Sequence, residues 1–197
     1  MSTLKERLDN SASIFQKYDS PISVAVRMAQ FALESQAGQS DLFKKTNNGF
    51  GIKFSAPYTG DKVLHNSMEV GGAQDSYFRK YPSLEASIKD HACFFTSTEH
   101  RANTAYKKAI DATNYKDEAN ALTGVYAGDP MYGSKLIEII ERYNLTQYDK
   151  KKGNDTMSFP RPKMTDRRKQ ALGYPGDRKS TRLNSSHIEE SRMPSSA

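Results

Sequence analysis

Glu34 is the first residue of this sequence whose setting favours acid chemistry. It stands near the end of a strongly helical stretch that has one apolar face, on which residues recur at spacings of three and four. A carboxyl at the end of a buried helix is partly desolvated, which raises its pKa and lets it hold a proton near neutral pH. A general acid needs that property. The alternative is an exposed glutamate in the last helical turn. The apolar positions are Ala25, Met28, Ala29, Ala32 and Leu33.

A second carboxyl is required if Glu34 belongs to a glycosidase, because one group acts as acid and another as base or nucleophile across the scissile bond. The acids of the glycine-rich middle of the chain are Asp61, Glu69 and Asp75. Glu69 is our first choice since it lies beside a predicted hairpin turn and could overhang a cleft. Asp75 is held in reserve. The alternative is that Glu69 is a solvated hairpin residue.

Other reactive side chains point to structure rather than chemistry. His65 and Glu69 are four residues apart but lie in a predicted β-region without a third ligand. We therefore expect no metal site and no cofactor. Cys93, the one cysteine, sits in an apolar run and is expected to be a small core residue. His91 is expected to be a hydrogen-bonded core histidine.

Helices account for most of the predicted secondary structure. Residues 3–18 form an amphipathic helix with a possible capping box between Thr3 and Glu6. The Glu34 helix should begin at Asp19 or Ser20 with Pro21 in its first turn, and Gly38 should follow its end in the left-handed conformation. Further helices are expected from Ser83 as N-cap to about residue 97, over 102–113 and 115–123, and from Asp129-Pro130 onwards.

Residues 47–81 differ from the rest of the chain in composition and periodicity. Glycines are frequent there and the helical period disappears. We expect short strands over Gly49–Phe54 and Val63–His65, and a hairpin in which Gly71-Gly72 joins Met68-Glu69-Val70 to Gln74–Arg79. The predicted fold class is α+β: a mainly helical, lysozyme-like body with a small β-hairpin lobe over the cleft.

Composition narrows the class of protein. The net charge of +6 and the pI near 9.2 favour an anionic partner, but the positive charges are scattered, so no nucleic-acid partner is expected. No apolar run approaches the roughly 18 residues of a membrane span, and no signal peptide is visible. We expect a catalytic domain over residues 1–149, a polar linker over 150–176, and a disordered stretch over 177–197 that resembles the translation of a DNA-sequencing adapter.

Several runs, in order, resemble the family-73 glycoside hydrolases, the endo-β-N-acetylglucosaminidases of bacterial autolysins, flagellar muramidase-type proteins and phage endolysins. The resemblance covers roughly residues 20–149. It departs from the family pattern at Gln36-Ala37, Gly49 and Gly128, which leaves both candidate carboxylates in place. The matching runs are Ala29-Gln30, Leu33-Glu34-Ser35, Asn47 to Lys53, Phe78 to Ser83, Ile88, Asp90-His91, Val125 to Tyr132, Tyr143, Leu145 and Tyr148-Asp149.

The resemblance implies roles for particular residues. Glu34 takes the place of the general acid, and Glu69 matches a glutamate of the β-lobe. Tyr126 matches an aromatic residue that lines the cleft, where it could hydrogen-bond the substrate N-acetyl group. Asn48 and Phe50 belong to the segment beneath the sugar sites. Tyr132 is the best candidate among the other tyrosines to touch substrate.

The resemblance also implies a reaction: hydrolysis of the β-1,4 bond after N-acetylglucosamine in bacterial peptidoglycan, by a monomer acting outside the cell. The partner of Glu34 is either Glu69 activating water or the N-acetyl group of the substrate. The absence of a visible signal peptide favours a phage endolysin or a fragment of a longer autolysin. The alternatives are a wall-binding or phage-structural module that does not cut, and a muramidase or lytic transglycosylase.

Overall fold

The computed structural model describes residues 2–69 and 72–149, and gives only the backbone of residues 67–69 and 72–74. The predicted linker over 150–176 and the adapter-like stretch over 177–197 lie outside the described residues. Helices and one hairpin make up the described part. They follow in the order α1 (Leu4–Lys17), α2 (Val24–Ser35), α3 (Asp41–Thr46), β1 (Lys62–Glu69), β2 (Gly72–Arg79), α4 (Leu84–Phe94), a π-turn (Arg101–Ala105), α5 (Lys107–Asp111), α6 (Tyr115–Ala121), α7 (Tyr132–Tyr143) and a 3₁₀ turn (Leu145–Tyr148).

Two helix starts follow the local sequence as predicted. At α1 the Thr3 hydroxyl accepts from the backbone N–H of Glu6, and the Glu6 carboxylate accepts from the Thr3 N–H at 2.8 Å, which completes the capping box. Ser83 caps α4 by accepting from the N–H of Ala86. In both cases the partners are three residues apart.

The predicted start of α2 is wrong. Its N-cap is Ser23, whose hydroxyl accepts from the N–H of Val26, and Pro21 precedes the helix. The Glu118 carboxylate of α6 accepts from the Ser23 N–H at 2.8 Å and so holds this end of α2 from a distant part of the chain. At the other end the left-handed residue that caps α2 is Gln36, with φ +53°. Gly38 follows two residues later with φ +86°, so its predicted left-handed conformation is confirmed but its place as the cap is not.

Two other helices also depart from prediction. α7 begins at Tyr132 rather than directly after Asp129-Pro130, because the Asp129 carboxylate first closes a turn by accepting from the N–H of Met131 at 2.9 Å. The single helix expected over 102–113 is instead a π-turn followed by the short α5. Local propensity therefore placed these helices correctly but not their boundaries.

The hairpin lobe is confirmed. β1 and β2 are antiparallel and pair from Lys62↔Arg79 at the base to Glu69↔Gly72 at the tip. The strand predicted over Gly49–Phe54 is wrong: that segment contributes an isolated bridge, Lys53↔Phe78, beside β2. The α+β class, with a helical body and a small two-stranded sheet, is as expected.

The core is organised around α2. Nine of its 12 residues are buried, including the polar Arg27 and Gln30. Arg27 donates to the backbone carbonyls of Tyr18 and Ile88, which links α2 to the segments on either side of it. Because buried polar groups are expensive unless they are hydrogen-bonded, these contacts fix the position of α2 and of any residue at its end. Within the described residues, no helix has the length and apolar character needed to cross a membrane.

Candidate active site

Glu34 occupies the last turn of α2 and is partly buried. The Tyr132 hydroxyl donates to Oε1 of Glu34 at 2.8 Å. On the other side, a Cβ built on Gly51 would lie 3.4 Å from Oε2, so the position that a side chain would take at residue 51 lies next to this oxygen. Burial raises the pKa of Glu34 from 4.5 to about 7, and the hydrogen bond from Tyr132 opposes part of that rise. Glu34 can therefore carry a proton near neutral pH.

Tyr132 is the first residue of α7 and is only 2% exposed. Its hydroxyl oxygen accepts a hydrogen bond from Nε2 of Gln30 at 3.2 Å while the hydroxyl proton goes to Glu34. Gln30 lies one turn before Glu34 on the same face of α2. The three side chains form one chain of hydrogen bonds that joins α2 to α7.

Tyr126, from the segment between α6 and α7, adds a second aromatic ring to the site. Its ring stacks on that of Tyr132, with centroids 5.9 Å apart and planes 18° from parallel. Its hydroxyl donates to the backbone carbonyl of Phe50 at 3.0 Å. Burial, with the Glu34 charge as a second cause, raises the pKa of both tyrosines well above 10. Both hydroxyls therefore keep their protons.

Asn48 and Phe50 lie beneath this surface and are each 1% exposed. The Asn48 amide donates to the carbonyls of Ile52 and Arg79, and its oxygen accepts from the N–H groups of Phe50 and Ile52. Because the Asn48 side chain both donates to and accepts from backbone groups, it shapes the turn that carries Gly51. Neither side chain is placed to touch a sugar in this structure.

His91 forms the layer below Phe50. The two rings are stacked 3.7 Å apart and 3° from parallel, and His91 is fully buried. The expectation of a core histidine is confirmed, but the expected hydrogen bonds are missing: neither ring nitrogen has a partner among the described residues. Burial lowers the pKa of His91 well below 6.5, so the ring is neutral. Cys93 is buried nearby, as expected of a core residue.

Glu69 ends β1, where its backbone pairs with Gly72. Its side chain lies outside the part of the chain that the structure describes. Asp75, the reserve choice, is exposed on β2 and accepts from the Asn66 amide at 3.0 Å. Across the described ranges, no group of three or more His, Cys, Asp and Glu side chains could hold a metal ion.

The structure brings Glu34, Tyr126 and Tyr132 together and places Asn48 and Phe50 below them. Sequence reasoning missed the contributions of Gln30 and Gly51. The four-residue spacing from Glu34 was a usable signal for Gln30, since residues at i and i+4 share a helix face. No local signal marked Gly51, because its proximity to Glu34 depends on how the segment after α3 crosses the end of α2.

Comparison with known proteins identifies a family and a fold that this chain shares. Residues 10–145 match the profile of the Glucosaminidase family, described as mannosyl-glycoprotein endo-beta-N-acetylglucosaminidase. The catalytic domain of the autolysin Auto from Listeria monocytogenes superposes with a TM-score of 0.64 at 34% identity, over 76% of this chain and 89% of that domain. The match therefore covers nearly the whole of a solved lysozyme-like catalytic domain.

Two curated relatives are similar over the same region. A Staphylococcus aureus protein named as N-acetylmuramoyl-L-alanine amidase domain-containing is 38% identical over 73% of this chain and 24% of its own length. The exo-glucosaminidase LytG of Bacillus subtilis is 37% identical over 69% of this chain and 49% of its own length. The chain thus spans about a quarter of the length of the first relative and about half of the second.

Proposed function

This chain belongs to the Glucosaminidase family of glycoside hydrolases, as its motifs predicted, and we propose that it hydrolyses the β-1,4 bond after N-acetylglucosamine in bacterial peptidoglycan. The observation that carries the proposal is the partly buried Glu34, which holds a proton near neutral pH and is oriented by Tyr132. The family description names a glycoprotein substrate. The names of the similar proteins, an autolysin and a bacterial exo-glucosaminidase, support the cell wall instead.

Glu34 acts as the general acid in this proposal. As the bond between the anomeric carbon and the glycosidic oxygen breaks, its electron pair stays on the oxygen and the Glu34 proton joins that oxygen. The leaving sugar departs as an alcohol, and Glu34 is left as a carboxylate. The hydrogen bond from Tyr132 then stabilises that charge, which is the state in which such a bond is strongest.

The second group is Glu69 activating water, or the N-acetyl group of the substrate attacking the anomeric carbon. Glu69 is supported by its place at the tip of a hairpin whose base is held against the helical body. Glu69→Gln and Glu69→Ala separate the two routes. Full activity in both variants favours attack by the substrate, whereas loss in both favours Glu69 as base.

Tyr126 is the proposed substrate contact. Its single proton is used on the Phe50 carbonyl, so the hydroxyl oxygen is left to accept the N–H of a substrate N-acetyl group. Tyr132 is buried and its hydroxyl already donates to Glu34. It therefore positions Glu34 rather than the sugar. For Asn48 and Phe50 we propose support of the turn beneath the site, because both side chains are buried.

The proposal includes a setting. A peptidoglycan hydrolase acts outside the cytoplasm, on the cell wall, and we propose that this one does so as a monomer. The excess of positive charge supports it, since bacterial walls carry anionic polymers. No nucleic-acid or membrane partner is proposed.

The test is digestion of purified peptidoglycan by the full chain and by its Glu34→Gln variant, with mass spectrometry of the reduced products. New N-acetylglucosamine reducing ends that are absent with the variant are expected. N-acetylmuramic acid ends would move the protein to the muramidases, and 1,6-anhydro ends to the lytic transglycosylases. Binding to the wall without any product would make it a binding module.

A further inference from the structure

Gln30 is a fully buried polar side chain that the proposed reaction does not yet use. Its Nε2 donates to the Tyr132 hydroxyl at 3.2 Å, while its Oε1 has no hydrogen-bond partner among the described residues. A buried acceptor without a partner lowers stability, and an apolar residue of the same size would avoid that penalty. The amide therefore calls for an explanation beyond packing.

The direction of the hydrogen bonds provides one. A tyrosine hydroxyl has a single proton, and an amide NH₂ group can only donate. When Gln30 donates to the Tyr132 oxygen, the proton of Tyr132 is directed to Oε1 of Glu34. The reverse direction requires Gln30 to accept through Oε1, and it would leave an ionised Glu34 without its donor at 2.8 Å.

We propose that Gln30 is a positioning residue: by donating to Tyr132 it commits the tyrosine proton to Oε1 of Glu34 and thereby places the acid proton of Glu34 on Oε2. The inference rests on the proposed role of Glu34 as general acid. Oε2 is the oxygen that faces Gly51, where the missing side chain leaves room beside the carboxyl. The glycosidic oxygen of a substrate would receive its proton there.

The consequence for the reaction is that Glu34 donates its proton from one defined oxygen atom, Oε2. Oε1 stays an acceptor before and after proton transfer, and only Oε2 changes from hydroxyl to carboxylate oxygen. The bond from Tyr132 strengthens as Glu34 becomes charged, and the bond from Gln30 strengthens Tyr132 as a donor because linked hydrogen bonds polarise one another. Gln30 thus acts on the carboxyl through Tyr132 without touching substrate.

The experiment compares the full chain with Gln30→Met, Tyr132→Phe and the double variant. Carbon NMR follows the side-chain carboxyl of Glu34 through a pH titration, with the signal assigned by its loss in Glu34→Gln. Tyr132→Phe should raise the pKa of Glu34 by about one pH unit, since it deletes a hydrogen bond to the charged form. Gln30→Met should raise the pKa by roughly 0.1 to 0.3 pH unit, because a polarising neighbour strengthens a hydrogen bond by about 10 to 30%.

The double variant supplies the decisive comparison, because Gln30→Met should add nothing once Tyr132→Phe has removed the link. Met28→Leu is the matched control: it alters another fully buried side chain of α2 and should leave the titration unchanged. Gln30→Leu replaces Gln30→Met if the latter does not fold. The basic limb of the pH profile of kcat/KM should move with the titration.

An unchanged Glu34 titration in folded Gln30 variants would overturn the inference, and so would an equal change in the Tyr132→Phe background. A lower kcat with an unmoved pH profile would also overturn it, since that pattern indicates packing alone. The two proposals fail separately. If the chain cuts peptidoglycan but the Gln30 variants leave the Glu34 titration unchanged, only this inference is wrong. If the Glu34 titration depends on Gln30 through Tyr132 but the chain cuts no peptidoglycan, only the proposed function is wrong.

Discussion

The guanidinium of Arg79 donates to the carboxylate of Asp90 at 2.7 Å, with the two side chains 0% and 1% exposed. This ion pair joins the last residue of β2 to α4 and therefore holds the base of the hairpin against the helical body. Tyr81 adds a second donor to Asp90 at 2.6 Å. Because the hairpin extends eight residues to Glu69, a rotation of about 5° at this base displaces its tip by about 2 Å.

Asp90→Asn should therefore affect both stability and activity. Removing one partner of a buried ion pair leaves the other charge uncompensated, so we expect a loss of about 3 kcal/mol in the free energy of unfolding. Urea denaturation measures that loss. If Glu69 takes part in the reaction, kcat should fall more than KM rises at a temperature where the variant is folded. Lys17→Met breaks an exposed ion pair with Glu85 and is the control, with little expected change in either quantity.

The raised pKa of Glu34 predicts how stability depends on pH. The folded state keeps the proton up to about pH 7, whereas the unfolded chain releases it near 4.5, so this group stabilises the fold at low pH and that stability is lost as pH rises through 7. The loss should reach about 3 kcal/mol well above pH 7. Glu34→Gln removes this pH-dependent loss of stability, because glutamine does not titrate. The variant should melt at a higher temperature than the parent at pH 8.5 and show a smaller advantage at pH 5.

A Glu34→Gln variant that loses stability equally at both pH values would contradict this assignment. In an activity assay, the kcat of the same variant should fall roughly 10²- to 10⁴-fold, which is the usual contribution of a general acid. Glu141→Gln provides a comparison, since Glu141 is exposed and bridges Lys116 on the surface. It should retain full activity.

His91 predicts a stabilising substitution. His91→Phe should raise the free energy of unfolding by about 1 kcal/mol at pH 7, because it removes two ring nitrogens that lack partners and keeps the stacking on Phe50. The folded-state pKa of His91 lies well below 6.5, so the parent loses stability as pH falls below 6.5 while the variant does not. The difference in melting temperature should grow from pH 7 to pH 5.

The exposed His100 separates this effect from histidine content in general. His100→Gln should melt in parallel with the parent across the same pH range. A His91→Phe variant that is destabilised at pH 7 would contradict this prediction.

Gly51 and Gly124 form a matched pair for testing the space beside Glu34. Both have positive φ, +60° and +76°, so alanine at either position should cost about 1 kcal/mol in stability. Only at Gly51 does the new Cβ meet Glu34 Oε2, at 3.4 Å, while nothing lies within 4 Å of one at Gly124. Gly51→Ala should therefore lose activity, by roughly tenfold or more, while Gly124→Ala should keep it.

Equal activity losses in the two alanine variants would indicate that backbone strain, rather than the space at Oε2, limits the reaction. The comparison is made at matched fraction folded, checked by circular dichroism. Initial rates on peptidoglycan then report only the site.

Features that depend on near neighbours could be predicted from the sequence. The Thr3–Glu6 capping box, the Ser83 cap, the hairpin and the place of Glu34 at a helix end are all confirmed, because their partners lie within a few residues and follow the helical or strand period. The ordered motifs also identified the family correctly.

Contacts between distant segments could not be predicted in this way, because they depend on the packing of the whole fold. Ser23 caps α2 with help from a carboxylate 95 residues away, and Tyr132 reaches Glu34 across 98 residues. His91 lies in an aromatic layer that leaves its nitrogens without partners. Local periodicity shows which face of a helix is buried, but it does not show what the face meets. That depends on how the helices pack, and packing sets the hydrogen bonds and burial that raise the pKa of Glu34.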